Sequence, residues 1–288
     1  ESAFPMLAIA ERESGSVIKG MRARRKRDVT KAPRRHRASL YSFAGGMHEL
    51  MQVLAERLGD RIRTGSPVRS LRRIGSEYRL ELDGGEAVSA DEVVLACPAG
   101  HGADIVAGLD EQLARELRAI PFASVASVYL GLPAAKLPPQ LQGFGFLLER
   151  GEKSPVLGAI YVASLFPDHA PPGHALLRVM IGGRRHPDAV ERTDASLVEL
   201  ATTTVMRYAN CRIEPDFTHV ARARTAIAQY ESGHAARLSR IAQRLAAHPG
   251  LSLRGNSYRA VALSGQIGRA SGTDAAGHPE DRLSATTG

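Results

Sequence analysis

At 288 residues, 43% of them hydrophobic and 24% charged, the chain can bury one large core or two domains and has a globular composition. No apolar run is long enough to cross a bilayer and no basic-then-apolar leader pattern opens the sequence, so a cytoplasmic protein is expected. Cys97 and Cys211 stand far apart without metal-ligand spacing, which argues against a zinc motif or a disulfide framework.

The first residue is Glu1 rather than Met, and the apolar Phe4, Met6, Leu7 and Ile9 have no strand or cap before them, which reads as a piece of a longer or trimmed polypeptide. Residues 3–22 resemble the end of a helical segment. Ten basic residues then fall between Lys19 and Arg37 against the single acid Asp28, and they supply much of the net charge of +8. Pro33 and the lack of interleaved aromatics favour a solvated loop over a nucleic-acid surface, with attraction to anionic lipid as the second choice.

From Ser42 the pattern sharpens. Gly45-Gly46 precedes a helix striped by Met47, Leu50, Val53, Leu54 and Leu58, which Gly59-Asp60 stops. Val68, then Tyr78, Leu80 and Leu82 alternating with charged neighbours, and Val88 beyond the Asp83-Gly84-Gly85 turn, predict a β-hairpin. Asp91–Ala96 predicts a strand buried on both faces. Asp110 is a candidate N-cap for a helix carrying Leu113, Leu117 and Ile120.

After Pro121, the segments Phe122–Leu132, Phe144–Leu148, Val156–Ala163 and Ala175–Gly182 are rich in β-branched or aromatic residues and separated by Gly and Pro, which predicts a largely antiparallel sheet. A helix is expected from Asp194 to Tyr208, a strand over Phe217–Arg224, and a helix capped by Ser232 that carries Leu238, Ile241 and Leu245. Pro249–Ile267 reads as strand, turn and helix start, a unit that presents backbone N–H groups to a ligand. The residues beyond Ile267 lose apolar periodicity and are expected to be disordered.

No G-x-S-x-G elbow, Walker A loop, H-E-x-x-H or C-x-x-C occurs. His234 reads as structural. Arg184-Arg185 after Gly182-Gly183 could fork a carboxylate, although a solvated strand end is the plainer reading. Phe144, Phe146, Leu147 and Met180 read, by spacing alone, as ordinary core residues.

Taken together, SFAGGMHEL (42–50), DEVVLACPA (91–99), GFGFLL (143–148), LGAIYVASLFPDHAP (157–171), LLRVMIGGRR (176–185), AIAQYESGHAARL (226–238) and PGLSLRGNSYRAVAL (249–263) resemble the later two thirds of the protoporphyrinogen oxidase family, which includes coproporphyrinogen III oxidase. The resemblance implies an α/β and α+β fold, the C-terminal part of an FAD-binding doubly wound domain interrupted by a substrate domain with a mixed or antiparallel sheet. The boundaries it suggests are a helical end plus basic loop at 1–41, part of the FAD-binding domain at 42–108, a substrate domain at 109–224, a return to the FAD-binding domain at 225–267 and a tail at 268–288.

The implied reaction is FAD-dependent, oxygen-using oxidation of a porphyrinogen, either protoporphyrinogen IX or coproporphyrinogen III, to the porphyrin of haem biosynthesis. Such chemistry needs a dry slot and a flat substrate facing the flavin ring rather than a catalytic side chain. By resemblance the FAD contacts fall on Val68, Asn256, Val261, Ala262 and Leu263. The substrate walls fall on Phe144, Gly145, Leu147 and Met180, and no catalytic or metal residue is implied. The expected partners are a porphyrinogen and molecular oxygen, with no nucleic acid; peripheral membrane contact and homo-oligomerisation are left open.

The sequence departs from the family pattern in four places. No G-x-G-x-x-G phosphate turn is present, so FAD held by these residues alone is expected to be weak. The arginine that holds a substrate carboxylate in the family is also expected upstream. Ala223 and Ala228 stand where the family has Trp and Pro. Ala260 and Ala262 replace glycines and Gly265-Gln266 replaces Asp-Cys, which would crowd the flavin side. Another flavin enzyme of the amine-oxidase and desaturase superfamily, or a remnant without catalysis, are the competing readings.

Overall fold

The computed structural model describes residues 11–20, 22, 40–149, 151–258, 263, 266 and 267. Residues 11–14 and 17–20 are helical. The elements then follow as helix α1 (Met47–Leu58), strands β1 (Val68–Ile74), β2 (Glu77–Leu82), β3 (Ala87–Ala90) and β4 (Val93–Leu95), and helices α2 (Ala99–Val106) and α3 (Glu111–Arg118). Strands β5 (Phe122–Pro133), β6 (Gly145–Leu147) and β7 (Val156–Ile160), the short helix α4 (Val162–Leu165) and strand β8 (His174–Gly182) come next. Helix α5 (Asp194–Ala209), strand β9 (Phe217–Ala228), helix α6 (His234–Leu245) and strand β10 (Leu251–Leu253) close the set.

The chain divides into two compact units, each made of separate stretches of sequence. One takes essentially residues 3–63 and 122–226, the other residues 64–121 and 227–288.

In the first unit a five-stranded sheet has the order β6-β7-β8-β5-β9, and the pairs β6–β7, β7–β8 and β8–β5 are antiparallel. Strand alternation sends Ala126, Val128, Leu130 and Leu132 of β5, with Leu177, Val179 and Ile181 of β8, into one core. Leu197, Ala201 and Val205 of α5 close that face, together with Ala189 and Val190 from the 3-10 turn before it. Thr193 starts α5 by accepting a hydrogen bond from the Ser196 N–H. Arg222 and Arg224 of β9 reach back on this side to Asp194 and Glu191. The apolar stripe of α1 has no buried residue, unlike that of a core helix.

In the second unit β1, β2 and β3 form an antiparallel sheet, one strand more than the expected hairpin, because Gly75 turns the chain a second time. The Tyr78 hydroxyl donates to the Pro249 carbonyl at 2.9 Å. Strand β4 pairs in parallel with β10. It is shorter than expected and is not buried on both faces, since Val94 is 58% exposed between buried Val93 and Leu95.

Helix α2 lies in a stretch where no helix was expected from the sequence. Gly100 and Gly102 depress its intrinsic propensity, and it forms by burying Ala99, Gly102, Ala103 and Val106. Asp110 does cap α3, accepting from the N–H groups of Gln112 and Leu113. Its other oxygen accepts from Arg244 at 2.7 Å and from His248 Nε2 at 2.9 Å, fastening the end of α6 to the start of α3. Burial pushes this carboxyl up, but the Leu113 N–H, His248 and Arg244 outweigh it and hold the pKa down at about 2. Helix α6 is preceded by Gly233, with no side-chain cap, so the Ser232 expectation fails. The tail beyond residue 267 lies outside the described residues.

Candidate functional site

With the core face of the five-stranded sheet filled by α5, the sheet's opposite face defines the site. The register lays two rows across it. Leu147 of β6 pairs with Gly158 of β7, Gly158 with Met180 of β8, and Met180 with Ser127 of β5. One step along, Gly145 pairs with Ile160, Ile160 with Arg178, and Arg178 with Tyr129. Strands about 4.8 Å apart make each row roughly 14 Å long.

The glycines shape this surface. A Cβ on Gly158 would run into the Phe146 carbonyl and come within 3.0 Å of the Leu147 Cα, and one on Gly145 would overlap the Ala159 carbonyl oxygen. Neither position can carry a side chain, and Leu147 Cδ2 lies against buried Gly158, so the row runs as a low apolar shelf from Leu147 to Met180. The β7–β8 register also shifts between Val156 and Gly158, a bulge of the sort that re-aims side chains next to functional sites.

Three of the four expected substrate-wall residues thus share one face. Gly145 and Met180 are half-buried and Leu147 is 81% exposed, a large apolar side chain offered to whatever lies on the shelf. Phe144 sits just before β6 and is 61% exposed. Phe146 points the other way, stacking on Tyr208 of α5 with ring centroids 5.6 Å apart. Sequence reasoning missed Gly158 and Ile160, although an isolated glycine inside a strand pattern signals a bulge or close approach. It also missed Arg178, Ser127 and Tyr129. Arg178 donates through Nε and Nη2 to the Ser127 hydroxyl at 3.2 and 2.9 Å, with its guanidinium 5.9 Å from the centre of the Tyr129 ring. Arg184 and Arg185 are exposed in the turn after β8.

In the second unit, the expected flavin contact Asn256 lies just past the carboxyl end of β10, where a turn follows the parallel β4–β10 pair. Gly255 there has φ +119, which disfavours any side chain. Asn256 uses its carbonyl to accept from the Tyr230 hydroxyl at 2.7 Å, and Ser257 Oγ accepts from the Ala99 N–H at 3.1 Å. His234 is buried, stacked on Tyr230 and bonded through Nε2 to the Tyr258 carbonyl at 2.7 Å. Val68 opens β1 opposite Leu82, and Leu263 is 45% exposed. Val261 and Ala262, with the Ala260 substitution, lie outside the described residues.

These residues fit one part of a flavin cofactor. A turn at the carboxyl ends of parallel strands is where doubly wound sheets bind ligands. The Tyr258 hydroxyl is buried there without a hydrogen-bond partner among the described residues, and burial pushes its pKa up. The glycine-rich turn that cradles a pyrophosphate is not supplied by this sequence.

The pattern of the flavin containing amine oxidoreductase family matches residues 2–276. The chain belongs to that family. Its relatives include coproporphyrinogen III oxidase of Bacillus subtilis, 27% identical over 95% of this chain and 59% of the relative. Human protoporphyrinogen oxidase is 31% identical over 91% of this chain and 58% of its own length. The chain therefore spans about two fifths to three fifths of the length of the curated relatives it matches.

Among solved structures, an Exiguobacterium sp. 255-15 protein named for protoporphyrinogen oxidase superposes with a TM-score of 0.74, at 24% identity over 90% of this chain and 55% of the other. A putrescine oxidase superposes at 0.59 with 18% identity, covering 80% and 52%. These likenesses bear out the mixed α/β and α+β fold, with its antiparallel and parallel sheets. Family membership makes FAD the cofactor to expect, as the sequence resemblance implied.

Proposed function

We propose that this chain carries the substrate sheet of an FAD-dependent porphyrinogen oxidase, acting on protoporphyrinogen IX or coproporphyrinogen III in the cytoplasm with oxygen as final acceptor. The observation that carries the reading is the apolar row of Leu147, Gly158 and Met180 beside Gly145 and Ile160, in which neither glycine can carry a side chain. A porphyrinogen offers four apolar pyrrole rings on saturated methylene bridges and becomes flat only as the porphyrin product, and oxidation by flavin requires the reacting bridge to be held against the flavin ring and kept dry. Gly145, Leu147 and Met180 are the shelf, Phe144 stands at its margin, and the first unit is the substrate-binding one. Val68, Asn256, Val261, Ala262 and Leu263 serve the flavin in the second.

FAD held by those residues would supply the hydride acceptor. The chain's own residues contribute position and exclusion of water, and the polar side chains on the shelf rows are those of Arg178, Ser127 and Tyr129. Among the described residues no helix is long and apolar enough to cross a membrane.

The test is turnover in air with saturating FAD. Porphyrinogen is expected to yield fluorescent porphyrin in an FAD-dependent manner while putrescine is left intact. Oxidation of putrescine instead would move the chain to an amine-oxidase reading. Porphyrin formation no faster than in buffer would remove the catalytic reading.

A further inference from the structure

We propose that Arg178 is the carboxylate anchor of the substrate sheet, seated by Ser127 and Tyr129 so that its guanidinium takes one carboxylate at the rim of a flat ligand lying on the shelf. The inference rests on the porphyrinogen reading of that face and adds to it the residue that would recognise the acidic side chains of such a substrate.

Arg178 is half-buried, yet among the described residues its hydrogen-bond and ring partners are neutral, the Ser127 hydroxyl and the Tyr129 ring. Both of its hydrogen bonds converge on a single oxygen, although a guanidinium carries five N–H donors. Other arginines of the same unit show what a satisfied guanidinium looks like here. Arg222 meets Asp194 at 2.6 Å, and Arg224 forms a two-pronged pair with Glu191 at 2.8 Å on each arm. Those two lie on the core side of β9, whereas Arg178 stands on the open face.

A partly desolvated guanidinium with spare donors is costly unless an anion completes it. Its position names the anion's carrier. Arg178 shares a row with Gly145 and Ile160 and lies one step along β8 from Met180, with its guanidinium on the β5 side of the apolar row, so it borders that row. An apolar plane bearing a carboxylate at its edge matches both features, and the planar fork suits bidentate contact with that carboxylate. Ser127, 93% buried, acts as a positioning residue: it fixes the inner edge of the guanidinium and leaves the outer N–H groups to the ligand.

The test compares coproporphyrin III with its tetramethyl ester, titrated into the protein in matched detergent and followed by porphyrin fluorescence. Arg178→Ala is expected to weaken binding of the free acid by about 10- to 100-fold, the range for a lost charge-assisted hydrogen-bonded contact. It should leave ester binding unchanged, which also shows that the sheet is intact. Arg178→Lys should fall between, because a point charge keeps the attraction but loses the fork. Unchanged acid binding by Arg178→Ala, or equal weakening of acid and ester, would overturn the anchor role alone. A wild-type protein that binds neither porphyrin would overturn the shelf reading together with it.

Discussion

Replacing Gly145 by alanine is expected to destabilise the first unit by roughly 2–4 kcal/mol, the sum of backbone strain and a forced clash. Gly145 has φ +129, a conformation that side chains rarely adopt, and its Cβ would overlap the Ala159 carbonyl oxygen. Because β6 is an edge strand whose one strand partner in the described sheet is β7, the cheapest relief is for β6 to peel away, against the Phe146–Tyr208 stacking that also holds it. Leu147 would leave the shelf with it, so porphyrin binding should fall as well. Denaturant titration read by a signal from the first unit checks the stability change. Gly151→Ala is the control: nothing lies within 4 Å of its added Cβ, and the midpoint should stay within about 0.5 kcal/mol of the parent.

Asp110→Asn is expected to cost the second unit about 2–3 kcal/mol at neutral pH. Asparagine can still cap α3, so the loss is not the cap itself. What disappears is the charge that Arg244 and His248 address from the end of α6, with the Asp110 side chain only 3% exposed. Arg244 is 40% exposed and recovers part of the loss from water, which keeps the figure below that of a fully buried pair.

The sign of the pH dependence follows from the folded pKa of about 2, below the unfolded value near 3.8. A carboxylate with a depressed pKa stabilises the fold above its unfolded pKa and ceases to do so as pH falls through the folded one. The stability gap between parent and Asp110→Asn should therefore be full above about pH 4 and shrink steadily toward pH 2. Paired unfolding curves across that range give the result, and a gap that persists unchanged at pH 2 would show that the carboxylate charge is not its source.

The helices α3 and α5 and the strands β5 and β8 were legible because their signals are local. Asp110 precedes a 3.6-residue stripe, and β8 alternates Leu177, Val179 and Ile181 against Leu176, Arg178 and Met180. Helix α2 was not legible, because its stability comes from packing rather than from the glycine-containing AGHGADIV sequence. Val93-Val94-Leu95 looked doubly buried, yet hydrophobicity alone does not say that one face of a short two-stranded pair stays open. The site was legible only in part. Leu147 and Met180 lie 33 positions apart, and nothing local shows that Gly158 brings them into one row; that depends on cross-strand register. Arg178 was hidden for the same reason, since its partners Ser127 and Tyr129 come from a strand more than forty residues earlier.

Hydrogen exchange with and without coproporphyrin III tests the central claim most directly, because it asks which face of which sheet the tetrapyrrole covers. Slower exchange is predicted in residues 145–147 and 156–160, strongest at the edge strand β6, with a smaller effect along 174–182 and none in 68–90. Protection confined to residues 64–121, or unchanged exchange throughout β6 and β7 at saturating porphyrin, would contradict the assignment of the open face as the substrate shelf.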